Sequence, residues 1–191
     1  ARVSSWIGWV FNFGFGSVLL GLPPLGITVM VLLAFSLATA AVFVLNQYFD
    51  READRENQAK SNLPVVSGRI TPRKTLIFSF LLIVSCLLLV FVANVQVLPL
   101  FVVYLALWTA YSTPPFRLKS VPVADFVISG IGAGFLPFLM GLELGGGLVS
   151  SVPFIMLGAL PLMLIQCGGH IIQAVGDYDA DLKTGVQTFV V

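Results

Sequence analysis

Charge is what this chain has least of. Only 10% of its 191 residues are charged, against 58% hydrophobic, and the mean hydropathy is +0.99. A soluble domain carries roughly 25% charged residues, so a soluble globular fold is excluded. The formal net charge is +1, and the cationic excess that a nucleic-acid surface needs is missing. No nucleic-acid partner is expected. Cysteine is nearly absent: Cys86 and Cys167 fall inside apolar runs and read as buried thiols, not as a disulfide framework. Period-two alternation is lacking as well, which argues against a transmembrane barrel. The first apolar segment has neither a basic n-region nor a cleavage site and is not read as a signal peptide.

What is present is a series of continuous apolar runs, several of them roughly twenty residues long, the length a helix needs to cross a bilayer. Six spans are expected, at about 5–22, from 27 into the acidic stretch at 50, 72–92, 98–111, 124–142 and 152–176. Gly21 to Gly26 (Gly-Leu-Pro-Pro-Leu-Gly) reads as a tight turn and Asn94-Val95-Gln96 as a short one. Polar loops fall at 57–69 and 111–119, and 145–151 reads as a flexible connection. Thr71-Pro72 is suited to the N-cap and first position of the third span. Pro137 should kink the fifth. The fold class is therefore an all-α, multi-pass transmembrane bundle, one domain over 1–191.

With six spans, the N-terminus and the loops after spans two, four and six share one side. Every charged residue except Glu143 then lies on that side, including all ten Lys and Arg. The positive-inside rule assigns that side to the cytoplasm. The rule says little about the acids, which gather at helix ends where the C-terminal dipole disfavours them. They call for a compensating cation.

The acids are patterned. Asn46, Asp50 and Asp54 are spaced i, i+4, i+8, so a continuing helix lines them up on one face. Gln173, Asp177 and Asp181 repeat the spacing at the end of the last span. Two such rows facing each other would make a divalent-metal and diphosphate site at the rim of an apolar cavity. Mg²⁺ suits it, since that ion takes oxygen ligands and pairs one or two carboxylates with substrate phosphates. The plain alternative is a solvated helix end, with Asp50, Glu52, Asp54 and Glu56 paired to Arg51 and Arg55. That reading accounts for Glu52 and Glu56. It accounts less well for Asn46, which lies deeper in the apolar run, where polar groups are costly and usually functional. Asp179 lies off the second row and reads as structural.

Basic residues border both rows. Lys60, Arg117, Lys119 and Lys183 are the candidates for direct contact with diphosphate, although positive-inside topology also accounts for cations here. Tyr111 and Ser112 close the fourth span at the same level, with hydroxyls to offer phosphate oxygens. His170, the only histidine, lies seven residues before Asp177 on the same helical face. It is either a buried, hydrogen-bonded histidine or part of the site or acceptor pocket. Of the sixteen Phe, most should face lipid or neighbouring helices, and some would line a tunnel for an isoprenoid tail.

At these residues the chain resembles the UbiA superfamily of intramembrane prenyltransferases. The family's N-x-x-x-D-x-x-x-D after helix two stands here as Asn46/Asp50/Asp54, and its D-x-x-x-D after helix six as Asp177/Asp181. Leu63-Pro-Val-Val-Ser-Gly-Arg-Ile70 is similar to its Pro-x-x-Ser-Gly segment. Tyr111-Ser-Thr-Pro-Pro-Phe-Arg-Leu-Lys119 is similar to its Tyr-Ser-x-Pro-Pro-x-x-x-Lys segment. The four stretches match in order across nearly the whole chain. Gln47 departs from the Asp that many members carry there. The resemblance implies about nine helices, so the last ones are expected to be missing from this chain. It also implies Mg²⁺ held by the aspartates as catalytic groups, a prenyl diphosphate donor, and a hydrophobic aromatic or lipid acceptor met within the membrane. A cation-conducting transporter and a non-catalytic scaffold are the competing classes. A CDP-alcohol phosphotransferase is disfavoured because its Asp-Gly-x-x-Ala-Arg pattern is absent.

Overall fold

The computed structural model describes residues 6–56, 60–148, 152–184 and 189–190; within the last helix the side chains at 177, 179–181, 183 and 184 lie outside that set. Six helical rods follow in chain order. They are α1 (Ile7–Leu19), α2 (Leu25–Arg55), α3 (Pro72–Ala93), α4 (Leu98–Ser112), α5 (Pro122–Gly145) and α6 (residues 152–184). Among the described residues there is no strand.

Four rods are long and apolar enough to cross a bilayer: α2, α3, α5 and α6. The other two are shorter: α1 falls short of the expected 5–22, while α4 matches the expected 98–111 to within a residue. α1 has 13 residues and α4 has 15. At 1.5 Å per residue they reach only about 20–23 Å, less than a hydrocarbon core of about 30 Å. Proline explains both ends. Pro23-Pro24 precede α2 and separate it from α1, and Pro114-Pro115 stop α4 just after Ser112. α3 begins as expected, with Thr71 accepting from the Lys74 backbone N–H at 3.4 Å and Pro72 in the first turn.

The kink expected at Pro137 is a π-helical turn. α5 consists of Pro122–Gly130, a π turn at Ile131–Phe135 and then Leu136–Gly145. α6 repeats the device: Val152–Phe154, a π turn at Ile155–Ala159, then Leu160–Thr184 with Pro161 next to its start. Widening the turn keeps the proline ring clear of the carbonyl four residues back. For Pro137 that carbonyl belongs to Ala133. It is not left bare, because the Asn12 side-chain amide of α1 donates to it at 3.0 Å in a buried setting. A polar side chain inside an apolar helix is thus explained by a missing backbone donor on its neighbour.

Glycine lets these helices approach. Gly141 and Gly145 face Gly16 and Ser17 of α1, and a Cβ on Gly141 would overlap the Phe13 carbonyl oxygen. A Cβ on Gly134 would lie 2.6 Å from the Leu162 carbonyl oxygen of α6. This is packing by small residues, the usual solution where lipid offers no hydrophobic drive for helix association. α2 packs along α3, and Phe13, Phe35, Phe101 and Tyr104 fill the centre. Phe13 and Phe35 stack at 5.5 Å, and Thr39 Oγ1 meets the Tyr104 hydroxyl at 3.1 Å. The outer face of α3 (Ile77, Phe78, Phe80, Leu81, Leu88, Phe91) is exposed and apolar, as a lipid-facing surface is. Cys86 and Cys167 are free and buried, as expected.

Gly141→Val should lower the unfolding midpoint in detergent by the equivalent of about 2 kcal/mol or more, since backbone must move to admit the side chain. Gly26→Ala, with nothing within 4 Å of the added Cβ, should leave it unchanged or slightly raised. Thermal unfolding followed by size-exclusion chromatography distinguishes the two.

Candidate functional site

α2 runs unbroken to Arg55, so Asn46, Asp50 and Asp54 share one helix face. The helix end divides by chemistry. Glu52, Arg55 and Glu56 are exposed. Arg51 pairs with Glu52 at 3.1 Å and lies 4.8 Å over the Tyr48 ring. The row on the other face points into the protein, with Asp54 buried and Asp50 nearly so.

Each carboxylate of that row meets cations from a loop. The Lys119 ammonium donates to Asp50 Oδ1, and the Arg117 guanidinium lies 3.7 Å from the same oxygen. Lys60 stands 3.2 Å from Asp54 Oδ1. Asn46 Nδ2 donates to Asp50 Oδ2 at 2.8 Å and to Ser112 Oγ at 3.3 Å. Its amide oxygen takes no part in either bond.

The loop between α4 and α5 is shaped to bring Arg117 and Lys119 there. After Pro114-Pro115 the Arg117 N–H returns to the Thr113 carbonyl at 2.9 Å, and a 3₁₀ turn follows at Leu118–Ser120. Arg117 itself adopts φ 38°, in the left-handed region that side chains with a Cβ rarely occupy. Its Nε and the Thr113 Oγ1 are buried without a partner. A buried, unpartnered guanidinium N–H beside a carboxylate row marks a place suited to an anionic oxygen.

The loop between α2 and α3 closes mainly on itself. Ser67 Oγ donates to the Leu63 carbonyl at 2.9 Å, the Ile70 N–H to the Pro64 carbonyl at 3.0 Å, and Gly68 supplies φ 75°. Arg69 donates to Ser67 Oγ at 3.1 Å and to the Asn62 carbonyl, so it braces its own loop.

A second polar cluster adjoins the first. Asp125 sits in the first turn of α5, where the helix dipole favours a carboxylate, and it is 3% exposed. Its Oδ1 accepts from the Tyr111 hydroxyl at 2.7 Å and meets His170 Nε2 at 2.9 Å. The Tyr111 hydroxyl is also 3.3 Å from Nε2. Tyr111 and Ser112 are neighbours in α4, so a polar belt runs from α2 through α4 and α5 to α6. Asp125 did not stand out in sequence. Its signal was an acid one turn into an apolar helix, a position where a carboxylate needs partners.

The second acidic row lies on α6, whose backbone is helical through Thr184, so 173, 177 and 181 keep the expected spacing. Gln173 is exposed, while Cys167 and Ala174 are buried and His170 is half-buried. The side chains of Asp177, Asp179, Asp181 and Lys183 lie outside the described residues. Among the described residues no group of three or more His, Cys, Asp or Glu is gathered tightly enough to hold a metal. The α2 row nevertheless offers only oxygen donors, two carboxylates and an amide, as a hard cation such as Mg²⁺ prefers.

Comparison with known proteins identifies the family of this fold. A model of the UbiA prenyltransferase family matches residues 8–191. The chain is 31% identical over 163 residues to a digeranylgeranylglyceryl phosphate synthase of Methanothrix thermoacetophila, covering 84% of this chain and 56% of that protein. It is 30% identical over 128 residues to a protoheme IX farnesyltransferase of Symbiobacterium thermophilum, covering 63% of this chain and 40% of that one. The solved structure of a UbiA homolog from Archaeoglobus fulgidus bound to DMAPP and Mg²⁺ matches with a TM-score of 0.80 at 26% identity. That match covers 98% of this chain and 65% of that one, so the chain spans 40–65% of the length of these relatives. With a family match over nearly its full length and the same helical fold, the chain belongs to the UbiA prenyltransferase family.

Proposed function

We propose that this protein transfers an isoprenyl group from a prenyl diphosphate to an aromatic or lipid acceptor within the membrane, with Mg²⁺ as cofactor. The observation that carries the proposal is the α2 row, two carboxylates and an amide on one helix face held beneath Lys60, Arg117 and Lys119. An acid row alone would suit a cation, and a basic loop alone an anion. Together they suit a metal-bound diphosphate. The Archaeoglobus fulgidus homolog of the same fold, bound to DMAPP and Mg²⁺, supports it.

In this reading Asn46, Asp50 and Asp54 face Asp177 and Asp181 of α6 as the two sides of the Mg²⁺ site. Mg²⁺ bound there would neutralise charge on the diphosphate as it leaves. Lys60, Arg117 and Lys119 turn from carboxylate to phosphate oxygens, and with Lys183 they stabilise the leaving group. Arg117 brings the unpartnered Nε–H. Ser112 accepts from Asn46 and offers its own proton to phosphate, with Gln173 on the facing helix. The Tyr111 hydroxyl already donates to Asp125, so Tyr111 contributes by holding that neighbour.

Aromatic faces lead away from the row into the apolar interior. Trp9 stacks on Trp108 at 4.9 Å, Phe43 lies 5.3 Å from Trp9, and Trp108 meets Tyr111 at 5.1 Å. Such a wall excludes water and presents π density to a developing allylic cation. The acidic rows open on the cytoplasmic side in this proposal, because every Lys and Arg falls on their side of the six-rod topology.

Asp50→Asn, nearly isosteric but uncharged, should reduce Mg²⁺-dependent prenyl transfer by about 10²-fold or more while the protein keeps its unfolding midpoint. Lys119→Met should weaken donor binding by about tenfold. The assay is mass spectrometry of products formed from several prenyl diphosphates with a panel of quinone precursors and lipid alcohols. Wild-type activity in Asp50→Asn would sink the proposal. For orientation, Glu52→Cys in a Cys86/Cys167-free background should react with an impermeant maleimide in inside-out vesicles and not in intact cells. Labelling from the outside would reverse the assignment.

A further inference from the structure

Prenyl transfer leaves one proton without a destination. The bond between the prenyl carbon and the diphosphate oxygen breaks, and its electron pair leaves with the diphosphate. An electron pair of the acceptor forms the new bond to carbon, and the acceptor then sheds a proton. In this reading the carboxylates of the α2 row would be engaged with Mg²⁺ and offer no free base. We infer that His170 receives this proton on Nδ1, with Asp125 and Tyr111 as the residues that position it.

The inference rests on the prenyl-transfer reading, and its own support is geometric. Asp125 is buried, and its Oδ1 lies 2.9 Å from His170 Nε2. A carboxylate there fixes the proton on Nε2 and leaves the lone pair on Nδ1. Tyr111 donates to the same oxygen at 2.7 Å and locks the carboxylate in place. Nδ1 makes no bond among the described residues and is not buried, and 22% of the His170 side chain is accessible. The imidazole therefore presents a free basic edge, beside the aromatic wall through its edge-on contact with Tyr111 at 6.5 Å. After accepting the proton, the imidazolium remains paired with Asp125. Among the described residues the titratable groups of the elements around it are few. α4 brings Tyr111 and α5 brings Asp125. On α6 itself Cys167 lies one turn before and Asp177 two turns after, and α1 brings no titratable side chain among its described residues.

Because His170 is the only histidine, one residue can be tested without ambiguity. The probes are geranylgeranyl diphosphate as donor, with a monoprenylglyceryl phosphate and 4-hydroxybenzoate as acceptors. His170→Gln should lower kcat by about 10²-fold or more and abolish the acid-side fall of the wild-type pH–rate profile. Mg²⁺-dependent binding of an unreactive prenyl thiodiphosphate should stay within about twofold. Asp125→Asn, which keeps an acceptor oxygen for Nε2–H, should lower kcat by about tenfold or more with the donor KM unchanged. If His170→Gln does not fold, diethylpyrocarbonate on the wild-type protein answers the same question. One modification per chain should stop transfer and spare thiodiphosphate binding. The inference is overturned if His170→Gln or the modified protein transfers at the wild-type rate. It is equally overturned if kcat falls but the acid limb persists, which is the mark of a structural role. Failure of the prenyl-transfer reading would look different, because wild-type protein would neither bind the thiodiphosphate nor consume the donor.

Discussion

The interaction on which the rest of the site depends is the engagement of Asp50. One carboxylate collects an amide from its own helix and two cations from a loop, with Lys119 lying 69 positions away in sequence. In an apolar protein a carboxylate cannot stay unpaired near the membrane, so the loop must fold over it. That single demand closes the α4–α5 connection onto the end of α2. It also holds Arg117 in a left-handed conformation that its backbone would not choose alone. The cations that neutralise Asp50 and Asp54 are the ones on which the proposed diphosphate site draws.

Around this anchor several buried polar groups are paired across the bundle, while Trp6 Nε1, Trp108 Nε1, Thr113 Oγ1 and Arg117 Nε are buried without a partner. The pairs cross between helices: Asn12 to the Ala133 carbonyl, Thr39 to Tyr104, Ser79 to the Ala41 carbonyl, Asp125 to Tyr111 and His170. The π turns before Pro137 and Pro161 belong to the same economy of hydrogen bonds. Proline removes a donor, the widened turn relieves the ring, and Asn12 covers the exposed carbonyl of α5. Glycines at 16, 134, 141 and 145 then bring α1, α5 and α6 close enough for such bonds to form. Packing and polar matching are one constraint here, since a side-chain amide reaches a neighbour's backbone only at glycine distances.

The polar belt gives the two clusters different characters. The α2 row is ionic, loop-covered and rich in oxygen donors. The Asp125–His170–Tyr111 cluster is built from three helices, and it lies where the aromatic wall meets the row. The first suits the charged end of a donor. The second borders the apolar interior, where an acceptor would lie. Adjacent residues of α4, Tyr111 and Ser112, join them, so a shift at one is felt at the other through a single helix end.

Much of this protein was legible without coordinates, because helical spacing and hydropathy are local properties. The all-helical membrane class, the bounds of α3, the Thr71 cap, the one-faced row of Asn46, Asp50 and Asp54, and the buried thiols all follow from runs and periods. The bounds of α4 were legible too, while the shortness of α1 depends on where turns and neighbouring prolines stop a helix, which hydropathy alone does not register. The partners were less legible. The order of residues singled out Arg117 and Lys119 and left Arg69 aside, but it did not say that Asp50 is their partner or that Arg69 braces its own loop. Asp125 was counted only as one more charge on the basic side. Its burial and its pairing arise from residues 14 and 45 positions away, on two other helices. The sequence by itself determined which residues stand on which face of which helix. Only the tertiary structure decided which faces meet, because that depends on glycine contacts and proline-relieved turns that set helix against helix.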